Sequence, residues 1–223
     1  MSEIESPLDF WGYLRDMERL TKRKARLAAS AACARAMVHL ADAGLADSVA
    51  LSEAFADGEG SGEQLLAWRD RAAQIADALL ESQPDNTTTV HYHAAIAAKA
   101  ATSLKILSTA QDAIEGAACA LQAAMPVRTT AGNLEVTGAF TRLLRDIFGN
   151  PFRPVSFDSH WRTSDVVGLA RAIYEDRAFD RLPILADALM DAGCADEQVL
   201  AHCRGDGPHV RGCWVVDLVL GKE

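Results

Sequence analysis

Thirty-one of the chain's 41 alanines fall within its first 124 residues. Alanine is the best helix former and carries the smallest side chain that still covers a helix face. A stretch so rich in it is confined to helices that approach one another closely. Beyond about residue 126 alanine drops to ten, and aromatics and prolines take its place. The change divides the chain into an alanine-rich helical array, 1–126, and a smaller C-terminal helical unit, 127–223, which together are also compatible with one continuous domain.

Periodicity and punctuation fill in the helices. Ser6, Pro7 and Asp9 open the first, with Phe10, Trp11 and Leu14 on its apolar face. The second spans Lys24 to Ala43, with Leu27, Ala31, Ala34, Val38 and Ala41 as a narrow seam and Gly44 as terminator. A third covers 45–57. Ser61 or Gly62 starts a fourth, on which Leu65, Trp68, Ala72, Ile75 and Leu79 recur at helical steps. One long helix is expected from Thr88 to Met125, bent at Gly116 and stopped by Pro126. Phe140, Leu143, Leu144 and Ile147 mark a helix ending at Gly149, and Asn150 to Val155 reads as extended around two prolines. Thr163 or Ser164 caps the next helix, Asp180 precedes one carrying Leu182, Leu185, Ala186 and Leu189, and a short one covers 196–204. The tail from Pro208 to Gly221 is read as helix over strand, because no other segment offers a strand partner. The expectation is an all-α array of nine to ten helices.

Charge and cysteine usage narrow the function classes. With 31 acids against 22 bases the net charge is −9, a poor balance for gripping duplex DNA. No apolar run reaches the roughly 20 residues needed to cross a bilayer, and the acidic start does not read as a secretory signal. Five cysteines at irregular spacing read as reduced thiols in a cytoplasmic protein.

Three blocks carry a resemblance. They are Leu144 to Pro154 (LRDIFGNPFRP), Arg177 to Leu189 (RAFDRLPILADAL) and Ala201 to Lys222, with its AHCRG and GPHVRGCWVVDLVLGK. Together they resemble a large paralogous family of planctomycete, chiefly Gemmata-like, bacterial proteins. Arg23 to Leu27, Cys33 to Arg35 and Phe55 to Gly58 extend the likeness into the first half. Family members often carry further cysteines where this chain has Ser30 and Ala32. No established activity comes with the family, so the resemblance implies lineage and leaves function open.

The densest chemistry lies near the C-terminus, where Cys194, His202, Cys203, His209 and Cys213 place five nitrogen or sulfur donors within 20 residues. If the tail is helical, His209 and Cys213 share a face and suit one metal, with Cys203 or Cys194 completing a zinc site. The alternative is that the thiols are small buried apolar groups and the histidines border a turn. Cys203, between His202 and Arg204, has an electropositive setting but no base aligned with it. No nucleophile elbow, phosphate-binding loop, dinucleotide fingerprint or HExxH is present, so no catalytic residue is assigned. The basic residues Arg15, Arg19, Lys22, Arg23, Lys24 and Arg26 read as a solvated face or a surface for an acidic partner. Arg153, Trp161, Arg204 and Arg211 are the candidate binding residues, in a groove between the two halves.

The expected function is a non-catalytic cytoplasmic helical module that binds another protein, with neither duplex DNA nor membrane as partner and its oligomeric state open. The alternative is a metal-binding, zinc, or redox-responsive module built on the C-terminal Cys/His cluster.

Overall fold

The computed structural model describes residues 7–16, 20–37, 46–81, 86–125 and 130–222. Among them lie eleven α-helices and no strand. In chain order these are α1 (Pro7–Asp16), α2 (Lys22–Met37), α3 (Ala46–Ala56), α4 (Gly62–Glu81), α5 (Asn86–Ala101), α6 (Ile106–Ala123), α7 (Thr130–Phe148), α8 (Ser164–Asp176), α9 (Leu182–Asp191), α10 (Glu197–Arg204) and α11 (Trp214–Leu220). Single 3-10 turns at Ser159–Trp161 and Phe179–Arg181 lead into α8 and α9. The chain divides into two compact units, Met1–Thr141 and Arg142–Glu223, so that α7 begins in the first and ends in the second. Ser6, Arg19, Val38, Ala41, Gly44 and Pro126 lie outside the described residues.

The extra helix comes from the stretch expected to be continuous. Residues 102–105 interrupt it, and the interruption is held from elsewhere in the first unit. Arg26 on α2 donates to the carbonyls of Ala101 (3.1 Å) and Ser103 (2.9 Å), which a continuing helix would have kept for itself. Ser52 on α3 also donates to the Ala101 carbonyl and accepts from the Ser30 hydroxyl. The Thr102 hydroxyl bonds back to the Ala98 carbonyl, closing the last turn of α5. Cationic donors suit the orphan carbonyls of a helix C-terminus. The guanidinium lies 5.0 Å from the Phe55 ring centre, and burial lowers its pKa to about 10.

Two further expectations are corrected here. Arg26 is buried, and the neighbouring Arg23 pairs with the enclosed carboxylate of Asp57 at 2.9 Å, so both work inside the first unit and belong to no solvated basic face. The seam of α2 is wider than a stripe: Ala25 through Cys33 are all buried, while Ala34 faces solvent. Alanine allows such a helix to be covered on most sides. The α4 pattern holds better, with Leu65 and Ala72 buried, and Ser61 and Gln64 exchange hydrogen bonds as a capping box at its start.

Gly116 marks closeness where a bend was expected. A Cβ built there would sit 3.2 Å from the backbone nitrogen of Ala97 and from the carbonyl oxygen of His93, both on α5. Helices α5 and α6 therefore touch backbone to backbone.

In the second unit Val166, Ala170 and Ile173 of α8 meet Leu182, Leu185, Ala186 and Leu189 of α9 in one core. Val199 and Cys203 of α10 and Val215, Val216 and Val219 of α11 complete it. Thr163 caps α8, and the Asp196 carboxylate accepts from two backbone N–H groups to cap α10. The segment after α7 is not uniformly extended, because Asn150 closes a turn through its side chain and carbonyl before the chain straightens at Pro154. The tail is helical only from Trp214, leaving 205–213 as a loop.

Gly116→Val is expected to cost about 1–3 kcal/mol, since backbone on α5 cannot yield as a side chain would. Gly168→Ala on α8 meets nothing within 4 Å and is expected to gain up to about 1 kcal/mol. Urea denaturation of both variants measures the contrast.

Candidate metal centre

The site begins with an acid in the wrong place. On the last turns of α7, Phe140, Leu143, Leu144 and Ile147 are buried, and Asp146 is buried among the same turns. A lone carboxylate there is costly unless it is paired and hydrogen-bonded. Its partners come from α10 and from the 205–213 loop. Oδ1 lies 2.8 Å from His209 Nδ1 and 3.1 Å from His202 Nε2, and Oδ2 accepts the backbone N–H of Val210 at 2.9 Å. Burial works to raise the Asp146 pKa, but the hydrogen bonds and charge of the two imidazoles outweigh it and hold the carboxyl below its usual range.

Cys213 is the fourth group. It ends the loop as the residue before α11, fully buried, with Sγ 3.2 Å from His202 Nε2. The donor atoms of Asp146, His202, His209 and Cys213 all lie within 4.8 Å of one another. A tetrahedral zinc with these ligand types has donor–donor edges of roughly 3.3–3.8 Å, so the four are gathered to within small adjustments.

The surroundings fix the rings. His209 Nε2 lies 3.1 Å from the Gly205 carbonyl oxygen, which can only accept, so Nε2 carries the hydrogen. Gly207, at φ +83°, shapes the turn beneath: a Cβ there would stand 2.9 Å from the backbone nitrogen of His209. The two imidazoles meet edge to face at 4.9 Å, and the Trp214 ring leans on His202 at 5.2 Å. Gly149 ends α7 at φ +69° with its α-carbon against that indole, where a Cβ would come within 3.3 Å.

The remaining candidates are distributed differently. Cys194 and Cys203 stand outside the four-residue group and belong to the apolar core of the second unit. Burial pushes the Cys203 thiol up to about 12, so it is no nucleophile at neutral pH. Burial likewise raises Cys194, and Cys213 well above the ordinary thiol range. His209 and Cys213 do not share a helix face, because 209–213 is a loop whose two ends turn toward one point. Asp146 joins the group only through the fold; its mark in the sequence is an acid three residues after Leu143, beside an apolar stripe.

Of the proposed binding residues, Arg153 is exposed and Trp161 packs edge-on against Phe157 at 5.2 Å. Arg204 makes an exposed pair with Asp187 at 2.9 Å, a contact of little energetic weight. The Arg211 guanidinium lies 4.7 Å from the Tyr174 ring centre.

No protein-family model matches the chain, and neither a curated protein nor a solved structure is significantly similar to it.

Two outcomes follow from this geometry. In chelator-treated protein Asp146→Ala is expected to cost about 1–3 kcal/mol by urea denaturation, because it leaves two half-buried imidazoles and the Val210 N–H without their acceptor. Iodoacetamide at neutral pH is expected to leave Cys33 and Cys203 unmodified in folded protein while labelling the half-exposed Cys119, as read by peptide mass mapping.

Proposed function

We propose that this chain is a non-catalytic, all-helical metal-binding protein whose C-terminal unit holds one divalent transition metal, zinc, through Asp146, His202, His209 and Cys213. One observation carries the reading: the donor atoms of Asp146, His202, His209 and Cys213 lie within 4.8 Å of one another. His209 spends its Nε2 hydrogen on the Gly205 carbonyl, leaving Nδ1 aimed at a carboxylate oxygen 2.8 Å away. Two electron-rich atoms at that distance need a proton or a metal ion between them. A ligating histidine ordinarily donates its other N–H to a backbone carbonyl, as His209 does. One oxygen, two nitrogens and one sulfur form a set suited to zinc, whose four-coordinate protein sites are mostly structural. The metal would tie the end of α7 to α10 and to both ends of the 209–213 loop, with Cys213 binding as thiolate.

Other features agree with this reading. All four ligands fall within the blocks that resemble the planctomycete proteins, a lineage we propose on that likeness alone. The five cysteines are unpaired, which suits a reducing cytoplasm. No described helix is long and apolar enough to cross a membrane, and the net charge of −9 disfavours duplex DNA as a partner.

A protein-binding role is compatible with the metal, and one observation favours it. Ile184 and Met190 on α9 are 57% and 47% exposed, with the exposed Asp187 midway between them. A partner seated there would be captured from native lysate by the wild type and lost with Ile184→Asp.

Purified without a tag, the protein is expected to carry about one equivalent of zinc by elemental analysis. Its melting point should fall by about 10 °C when the metal is stripped. Cobalt substitution should give a thiolate charge-transfer band that Cys213→Ser abolishes. Less than about 0.1 equivalent of zinc, copper or iron, with no uptake on reconstitution, overturns the reading.

A further inference from the structure

The two histidines of the metal centre are held by different means. His209 is oriented by a hydrogen bond, from Nε2 to the Gly205 carbonyl on the side away from Asp146. The polar contacts of His202 among the described residues both run from the nitrogen that faces the other ligands. Its Nε2 lies 3.1 Å from Asp146 Oδ1 and 3.2 Å from Cys213 Sγ. A ligating imidazole is ordinarily set in place by a hydrogen bond from its other nitrogen. Among the described residues His202 has no such acceptor, so something else must fix the direction of Nε2.

Rings take that part. The His202 imidazole meets the edge of His209 at 4.9 Å and the Trp214 indole at 5.2 Å, tilted by 54°. It can swing away from Asp146 and Cys213 only by displacing one of them. Trp214 is placed for this by the chain, since it opens α11 directly after Cys213. The indole is itself seated on Gly149, where a Cβ would stand 3.3 Å from its Cγ and Cδ2. Gly149 follows Asp146 by three residues, and its N–H closes the last turn of α7 on the Arg145 carbonyl. The end of α7 thus supplies one ligand directly and reaches a second through the indole.

We propose that Trp214 is a positioning residue of the metal centre: seated on Gly149, its indole holds the His202 ring so that Nε2 faces the same point as the Asp146 and Cys213 donors. The proposal rests on the metal-centre reading, and the experiment separates the two. Zinc affinity of the chelator-treated full chain is measured by competition with a chromophoric chelator, for variants that circular dichroism shows to be folded. Trp214→Leu is expected to bind zinc about tenfold more weakly than wild type. Trp214→Phe presents a flat ring again and is expected to recover most of that loss. Trp214→Met keeps apolar bulk without a ring and takes the place of Trp214→Leu if the latter does not fold. Gly149→Ala removes neither ring nor ligand, yet is expected to weaken zinc about tenfold by unseating the indole. His202→Ala loses affinity outright, and adding Trp214→Leu to it is expected to cost nothing more, because the indole acts through that imidazole. Wild-type affinity in Trp214→Leu, a phenylalanine variant as weak as the leucine one, or a loss that adds in full to that of His202→Ala overturns the positioning role and leaves the metal centre standing. Unchanged affinity in Gly149→Ala overturns the part given to Gly149. A wild-type chain that takes up no zinc overturns the metal centre and this proposal with it.

Discussion

The second unit is organised around the buried carboxylate of Asp146. Asp146 sits on the apolar side of α7, where a carboxylate without partners would unfold its surroundings or take up a proton. It does neither because α10 supplies one imidazole and the following loop supplies another, together with a backbone N–H. The arrangement fixes where α10 must end and how 205–213 must run. Gly205 offers its carbonyl to His209, and the loop returns through Val210 to reach Cys213. A stretch without regular secondary structure is thereby pinned to α7 by hydrogen bonds from His209 and Val210.

The first unit solves a different problem with the same economy of charge. Arg26 is buried in an alanine-lined interior and meets the carbonyls that α5 leaves open at its end. The cost of enclosing a guanidinium is offset by donors placed where a helix terminus presents partial negative charge. In each unit an enclosed charged side chain, Arg26 or Asp146, meets the backbone where a helix stops or a loop turns.

This explains what the amino-acid sequence discloses and what it conceals. The helical class follows from spacing within short windows, as with Leu182, Leu185, Ala186 and Leu189, whose burial needs only one neighbour face. The break at 102–105 is invisible at that range, since no glycine or proline marks it and its determinants, Arg26 and Ser52, lie far upstream. The histidines and thiols near the C-terminus stand out by density alone. Asp146 does not, because His209 is 63 residues away and its one local mark, a place beside the apolar stripe of α7, is shared by many surface acids. Cys203 draws attention by standing beside His202, yet successive helical residues point apart, and it turns into the core while its neighbour turns to Asp146.

The contact of α5 with α6 at Gly116 has a consequence for how the first unit tolerates sequence change. Where backbones touch, there is no side-chain layer to absorb a new methyl group by rotating away. Apart from Val90, Ile106 and Ile114, the buried described positions of α5 and α6 are alanine or glycine, and exchanges that leave their contact intact are confined to residues of about that size. On α2 and α3, Ser30 and Ser52 fill interior positions of the same small size, each hydroxyl satisfied within the interior. Such a unit is permissive at its surface and nearly frozen within.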